Sequence, residues 1–191
     1  MKFFNITVLF ASTLTVPLLT SAQSSIPAQD LQQARELVKA FGGDLKTVLK
    51  TSMKSAGPIK ALSECNIQAM PIAEINSSSS PWDIARTSLK VRNENNQADE
   101  WETQVLQLFE QRKVDGEAIE TMEYAETIKT AEKTIYRYMK PIPTTGLCLT
   151  CHGETLADEV SNKVKVLYPH DNATGFSLGD IRGAFTLQKI P

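Results

Sequence analysis

The sequence predicts an α+β domain, an antiparallel sheet with flanking helices and an amphipathic helix at its N-terminal end. Three observations carry that expectation. Apolar residues recur at helical spacing between Ala28 and Met53. Short β-prone runs occur at 84–92, 134–139 and 181–190, too short and too scattered for a parallel sheet. With 191 residues, 41% hydrophobic and 22% charged, the chain suits one packed domain and excludes disorder, collagen and a polytopic membrane protein.

Residues 1–22 read as a secretory signal. Lys2 supplies the positive charge, Phe3 to Leu19 the apolar stretch, and Thr20-Ser21-Ala22 the small residues before a cut. An uncleaved anchor is the competing reading. Cleavage after Ala22 leaves a single domain, residues 23–191, with no later segment of membrane-spanning length. The mature chain is expected outside the cytoplasm, in the periplasm.

After a polar tether, helix one is expected over Ala28–Met53, burying Leu31, Ala34, Val38, Phe41, Leu45, Val48 and Ser52, with Leu37 beside them. Gly42-Gly43 should weaken or kink it. Ser55-Ala56-Gly57-Pro58 is a break that places Pro at a new helix start. Helix two should run from Pro58 to Met70, where Pro71 limits it. Leu62, Cys65, Ala69 and Ile72 share its inner face. A Ser-rich loop spans 76–81, a strand follows over 84–92, and 93–97 is a polar turn. Trp101–Phe109 is helical, with Trp101, Val105, Leu108 and Phe109 on one face. Thr134–Met139 is β-prone, with Pro141 and Pro143 expected to end it. Gly153–Leu167 reads as a helix, 171–175 as a turn, and 181–190 as a closing strand.

Cys148-Leu149-Thr150-Cys151-His152 is the strongest chemical signal. The pattern C-x-x-C-H attaches c-type haem. Two thiols at this spacing reach two vinyl groups on one porphyrin edge, and the next residue offers an imidazole to the iron. With three Cys and two His in the chain, chance yields the pattern in about 1 of 2,000 such sequences. Export agrees with it, since bacterial attachment takes place outside the cytoplasm. A thioredoxin-like redox pair lacks its βαβ context here. A zinc site would have to use Cys148, Cys151, His152 and His170, with adjacent ligands straining the tetrahedron. A disulfide leaves His152 unexplained. Net charge is −2, so no basic field exists for nucleic acid.

Cys65 is the odd thiol. Two readings of it stand: a small buried hydrophobe, or a ligand on the distal face of the iron. Met70 is a further candidate ligand. Arg92, Arg137 and Arg182 are candidates to pair with haem propionates, Arg92 first, and each competes with an ordinary surface role.

An ordered set of segments adds to this. Ser88-Leu89-Lys90-x-Arg92-Asn93, Trp101-Glu102, Tyr136 to Ile142, Cys148 to Gly153, Tyr168-Pro169-x-Asp171-x-Ala173-Thr174-Gly175-Phe176 and Gly179-Asp180-Ile181-Arg182-Gly183 together resemble a family of exported single-haem c-type proteins. That family has a PAS-like fold and was long catalogued as a domain of unknown function. The resemblance implies a PAS-like antiparallel sheet and one covalent haem c. It also implies His152 as proximal ligand and Cys65 as distal ligand, since Ala61 to Asn66 matches the family's helical Cys segment. Glu94 departs from the pattern, where Pro is expected after Arg92-Asn93.

The function expected is low-potential electron transfer or redox response with a separate protein partner. Two strong ligands fill the iron, and a thiolate favours Fe(III). A haem-based redox or gas sensor module is the alternative. A peroxidase-like enzyme needs an open distal face and an acid–base residue, and the sequence offers none, so no enzymatic activity is expected.

Overall fold

The computed structural model describes residues 26–191, so the expected signal segment lies outside the described residues. The chain order is α1 (Ala28–Ser78), β1 (Asp83–Thr87), a 3-10 turn (Glu94–Asn96), α2 (Glu100–Val114), β2 (Tyr124–Lys129), β3 (Thr134–Pro143), α3 (Gly146–His152), α4 (Asp158–Leu167) and β4 (Ile181–Lys189). The four strands form one antiparallel sheet in the order β1-β4-β3-β2. The expected class is therefore the observed one: an antiparallel sheet flanked by helices, with a long helix first.

Period-two alternation sends side chains to two different helices. Tyr138 and Leu187 pack with Trp82 and Ile84 under Ala34, Leu37, Val38 and Phe41 of α1. Met139 and Ala184 face the other way, against Val105, Leu106 and Phe109 of α2. The capping box that starts α2, Asp99 with Glu102, is tied to the sheet: Arg137 donates to both carboxylates, and Thr186 donates to Glu102 at 2.7 Å. Arg137 thus serves the α2 face, its guanidinium also lying 4.2 Å from the Trp101 ring centroid.

Several boundaries differ from expectation for identifiable reasons. The break between the two limbs of α1 falls at Ala56 and Gly57, where Gly57 takes φ 73°, a conformation that favours glycine. No break occurs at Gly42. A Cβ there would sit 3.0 Å from Phe185 Cζ, so Gly42 makes room for that ring. The second limb does not stop at Pro71 but continues to Ser78. An interior Pro costs a helix about 3 kcal/mol. Packing of Ile72 and Ala73 on the core offsets this, as does buried Asn76, whose amide donates to Asp44 of the first limb at 2.9 Å.

In α2 the buried face includes Leu106, while Leu108 is exposed. β1 ends at Thr87, well short of residue 92. β2 was not anticipated. Both prolines of β3 lie within the strand: β2 stops opposite Met139, so beyond it β3 has a neighbour on one side only. Of the helix expected over Gly153–Leu167 only Asp158–Leu167 is helical, as α4; a separate short helix, α3, precedes it and ends at Gly153. Among the described residues no helix is long and apolar enough to cross a membrane.

Candidate haem site

Cys148, Cys151 and His152 all lie on α3, a seven-residue helix at one end of the sheet. Its short length follows from Gly153. A Cβ at that position would lie 2.7 Å from the Leu149 carbonyl oxygen, so only glycine lets the backbone close the helix there. Gly153 N–H caps that same carbonyl at 2.9 Å. The Cys148 thiol is held at the helix start, accepting from Thr145 N–H at 3.4 Å. Cys151 packs on a small separate core of Leu62, Val160 and Val164, with Ile59, Leu156 and Leu167 around it. That core joins the second limb of α1 to α4 and places α3 beside Cys65, one turn from Leu62.

The segment 171–176 clamps the end of α3. The Gly175 and Phe176 N–H groups donate to the carbonyls of Gly153 and His152, both at 3.0 Å. The Ala173 carbonyl lies 2.7 Å from His152 Nδ1. A carbonyl only accepts, so this contact puts the ring proton on Nδ1 and leaves the Nε2 lone pair free. Arg182 Nε approaches the same nitrogen at 3.2 Å. Two donors cannot share one protonated nitrogen, and the shorter carbonyl contact decides the tautomer. Burial first, then Arg182 and Arg92, drive the His152 pKa down to about 2, so the ring is neutral. Phe176 packs edge-on against it with ring centroids 6.2 Å apart.

Arg92 holds the clamp together. Its guanidinium makes two bonds to Asp171, at 3.0 and 3.1 Å, and donates to the carbonyls of Cys151 at 2.6 Å and Ala173 at 3.3 Å. Both side chains of the pair are buried. Asp171 also accepts from Ala173 N–H at 3.0 Å. These bonds assign a physical role to the Asp171-x-Ala173-x-Gly175-Phe176 pattern: it fixes the imidazole ring and the carbonyl end of α3.

Cys65 is half-buried on the second limb of α1. Burial pushes its thiol up, while Arg86 and Arg92 pull it down. Burial raises Cys151 as well, and a charge on Cys65 adds to that rise. The two thiols therefore lie near each other. His170 does not join them: its side chain is 74% exposed, 3.9 Å from Glu94. Met70 is exposed at 42%. Among the described residues no three His, Cys, Asp or Glu side chains converge as a bare metal site, which leaves the zinc alternative without a ligand set.

A guanidinium cluster completes the site. Arg182 donates to Ser88 Oγ and to the Lys90 carbonyl, both at 3.0 Å. Its pKa falls to about 10 through burial, with Arg92 and Arg86 adding like-charge repulsion. Asp171 neutralises one of the three charges, and the other two guanidiniums make no ion pair among the described residues.

The model of the Tll0287-like family matches residues 20–189. The chain belongs to that family. Among solved structures it is similar to one described as the crystal structure of the cyanobacterial haem protein Tll0287. The TM-score is 0.62 at 20% identity, over 85% of this chain and 95% of that one. At that identity the likeness establishes a shared fold. No curated protein matches the chain.

Within this member of the family, the fold brings Cys65, Cys148, Cys151, His152 and Arg92 to one end of the sheet. Sequence reasoning missed Arg86 and the roles of Asp171 and Ala173. Arg86 had a readable signal: on a strand it shares a face with core residue Ile84.

Proposed function

We propose that this chain is an exported c-type haem protein of low-potential electron transfer or redox response, working with a separate redox partner and catalysing no reaction of its own. Cys148 and Cys151 would carry the haem by thioether bonds, His152 would ligate through Nε2, and Cys65 would supply the opposite ligand. The observation that carries the reading is the state of His152. It is half-buried and oriented by the Ala173 carbonyl, with Nε2 left free, directly after two thiols at vinyl spacing. A ring whose other nitrogen donates to a backbone carbonyl is the usual arrangement of a metal-ligating histidine.

Each residue has a task in this reading. Gly153 and the 171–176 clamp fix the imidazole plane. Arg92 holds the end of α3 in place through the Cys151 and Ala173 carbonyls. Leu62, Ile59, Val160 and Leu167 keep water from the thioether edge. One-electron Fe(III)/Fe(II) exchange is the chemistry that a bound haem supplies, and thiolate donation from Cys65 would hold the potential low.

Ferric spectra test the ligand set. Absorption and EPR of the holoprotein should be low-spin and thiolate-ligated. A high-spin ferric iron would sink the two-ligand reading. Displacement of Cys65 by carbon monoxide in the reduced protein would turn it toward a sensor.

A further inference from the structure

Arg86 lies on β1, half-buried, and lines a cavity of about 400 Å³. The walls include Ala69, Met70 and Ala73 from α1, Ile84 from β1, and Asn95 and Asn96. Glu74 and Asp83 also line it, but both are exposed, and neither pairs with Arg86. A half-buried guanidinium with no carboxylate beside it is a ready partner for an anion that enters the cavity.

Three levels follow one another along the second limb of α1. Leu62 lies with Cys151, Cys65 comes one turn later, and Ala69 with Ala73 form the cavity wall beyond. At 1.5 Å per residue, Cys65 to Ala69 is about 6 Å along the axis. That is the scale of half a porphyrin. The thioether edge of a haem would thus lie at the Leu62 level and its carboxylate-bearing edge at the level of the alanines. Small side chains at 69 and 73 leave room there. Charge agrees as well: Arg86 has no carboxylate partner among the described residues, and a haem propionate is a carboxylate.

We infer that this cavity receives the propionate edge of the haem, and that Arg86, not Arg92, is the cation that binds a propionate. Arg92 is committed to Asp171 and two carbonyls. The inference rests on the haem reading above. Arg86 is a positioning residue under it: a planar fork that fixes the far edge of the ring while α3 fixes the near edge.

Resonance Raman spectra of the holoprotein and of Arg86→Gln and Arg86→Lys test it, through the propionate bending bands. Those bands respond to hydrogen bonds at the carboxylates and not to a distant charge. Arg86→Gln should shift them clearly and lower the midpoint potential. Arg86→Lys should shift them less and keep most of the potential, so a poorly folded Gln variant does not leave the question open. Bands unmoved in both variants, with haem present and covalently held, would overturn the assignment of Arg86 alone. A chain that carries no haem would overturn this inference and the haem reading together.

Discussion

At the scale of single residues, Cys65 and Arg92 divide the work between chemistry and architecture. Cys65 is the only thiol outside the Cys148–Cys151 pair, and it lies near enough to Cys151 for a charge on it to be felt there. Cys65→Ser should convert the ferric iron from low-spin to high-spin, or admit water or Met70, and raise the potential. Identical spectra and potential in that variant would leave Cys65 as core packing and remove the physical basis of a low-potential carrier. Arg92 is different. Removing Asp171 leaves its charge buried without a counter-ion, a loss of about 3–5 kcal/mol for a buried pair broken on one side. Asp171→Asn should therefore lower the unfolding free energy read from denaturant titration by an amount in that range, and loosen the His152 ring that Ala173 orients. A stability change under about 1 kcal/mol would show that the pair does not hold the clamp.

At the scale of elements, the break in α1 decides where Cys65 points. The first limb lies on the sheet, and the second turns at Gly57 to meet α4 and α3. Gly57→Ala places a Cβ at φ 73°, a cost of about 1–2 kcal/mol. Thermal or chemical denaturation should register that loss, and the haem bands should broaden as the second limb shifts. An Ala variant as stable as the parent would mean that the left-handed turn is not needed. The Ser-Ala-Gly-Pro break was legible in the sequence because glycine and proline act locally. So was the attachment helix, because its chemistry is contiguous. β2 was not legible: Tyr-Ala-Glu-Thr-Ile-Lys is a short edge strand, half-buried almost throughout, without the alternation that marks a strand. The clamp at 171–176 was visible only as a pattern of resemblance. Its function depends on bonds to Arg92 and His152, far away in sequence.

At the scale of the whole molecule, α1 is locked onto the sheet by a polar crosspiece as well as by its apolar face. Arg35 bonds to Glu123 through both its Nε and Nη2 atoms, and the Tyr138 hydroxyl donates to Glu123 at 2.9 Å. The bond from Arg35 holds the Glu123 carboxyl below the ordinary value of 4.5. A depressed carboxylate contributes stability that is fully present above its unfolded pKa and is lost as pH falls through its folded one. The parent should thus lose stability as pH drops below about 4.5, and Glu123→Gln should show a shallower loss over that window while starting from a lower plateau. Equal slopes in the two proteins would assign the acid sensitivity elsewhere.

The fold class came from periodicity and was observed. The assembly of Cys65, His152 and three guanidiniums at one end of the sheet could not come from periodicity, since it joins α1, β1, the segment after β1, α3 and the start of β4. The central claim is that this assembly holds a haem covalently through Cys148 and Cys151. The direct measurement is acid–acetone extraction of the denatured holoprotein, followed by a haem stain of the polypeptide on a denaturing gel. The account predicts that the stain stays with the chain and disappears when Cys148 and Cys151 are both replaced by Ala. Haem that extracts freely into the solvent, or a chain that binds none, would contradict it.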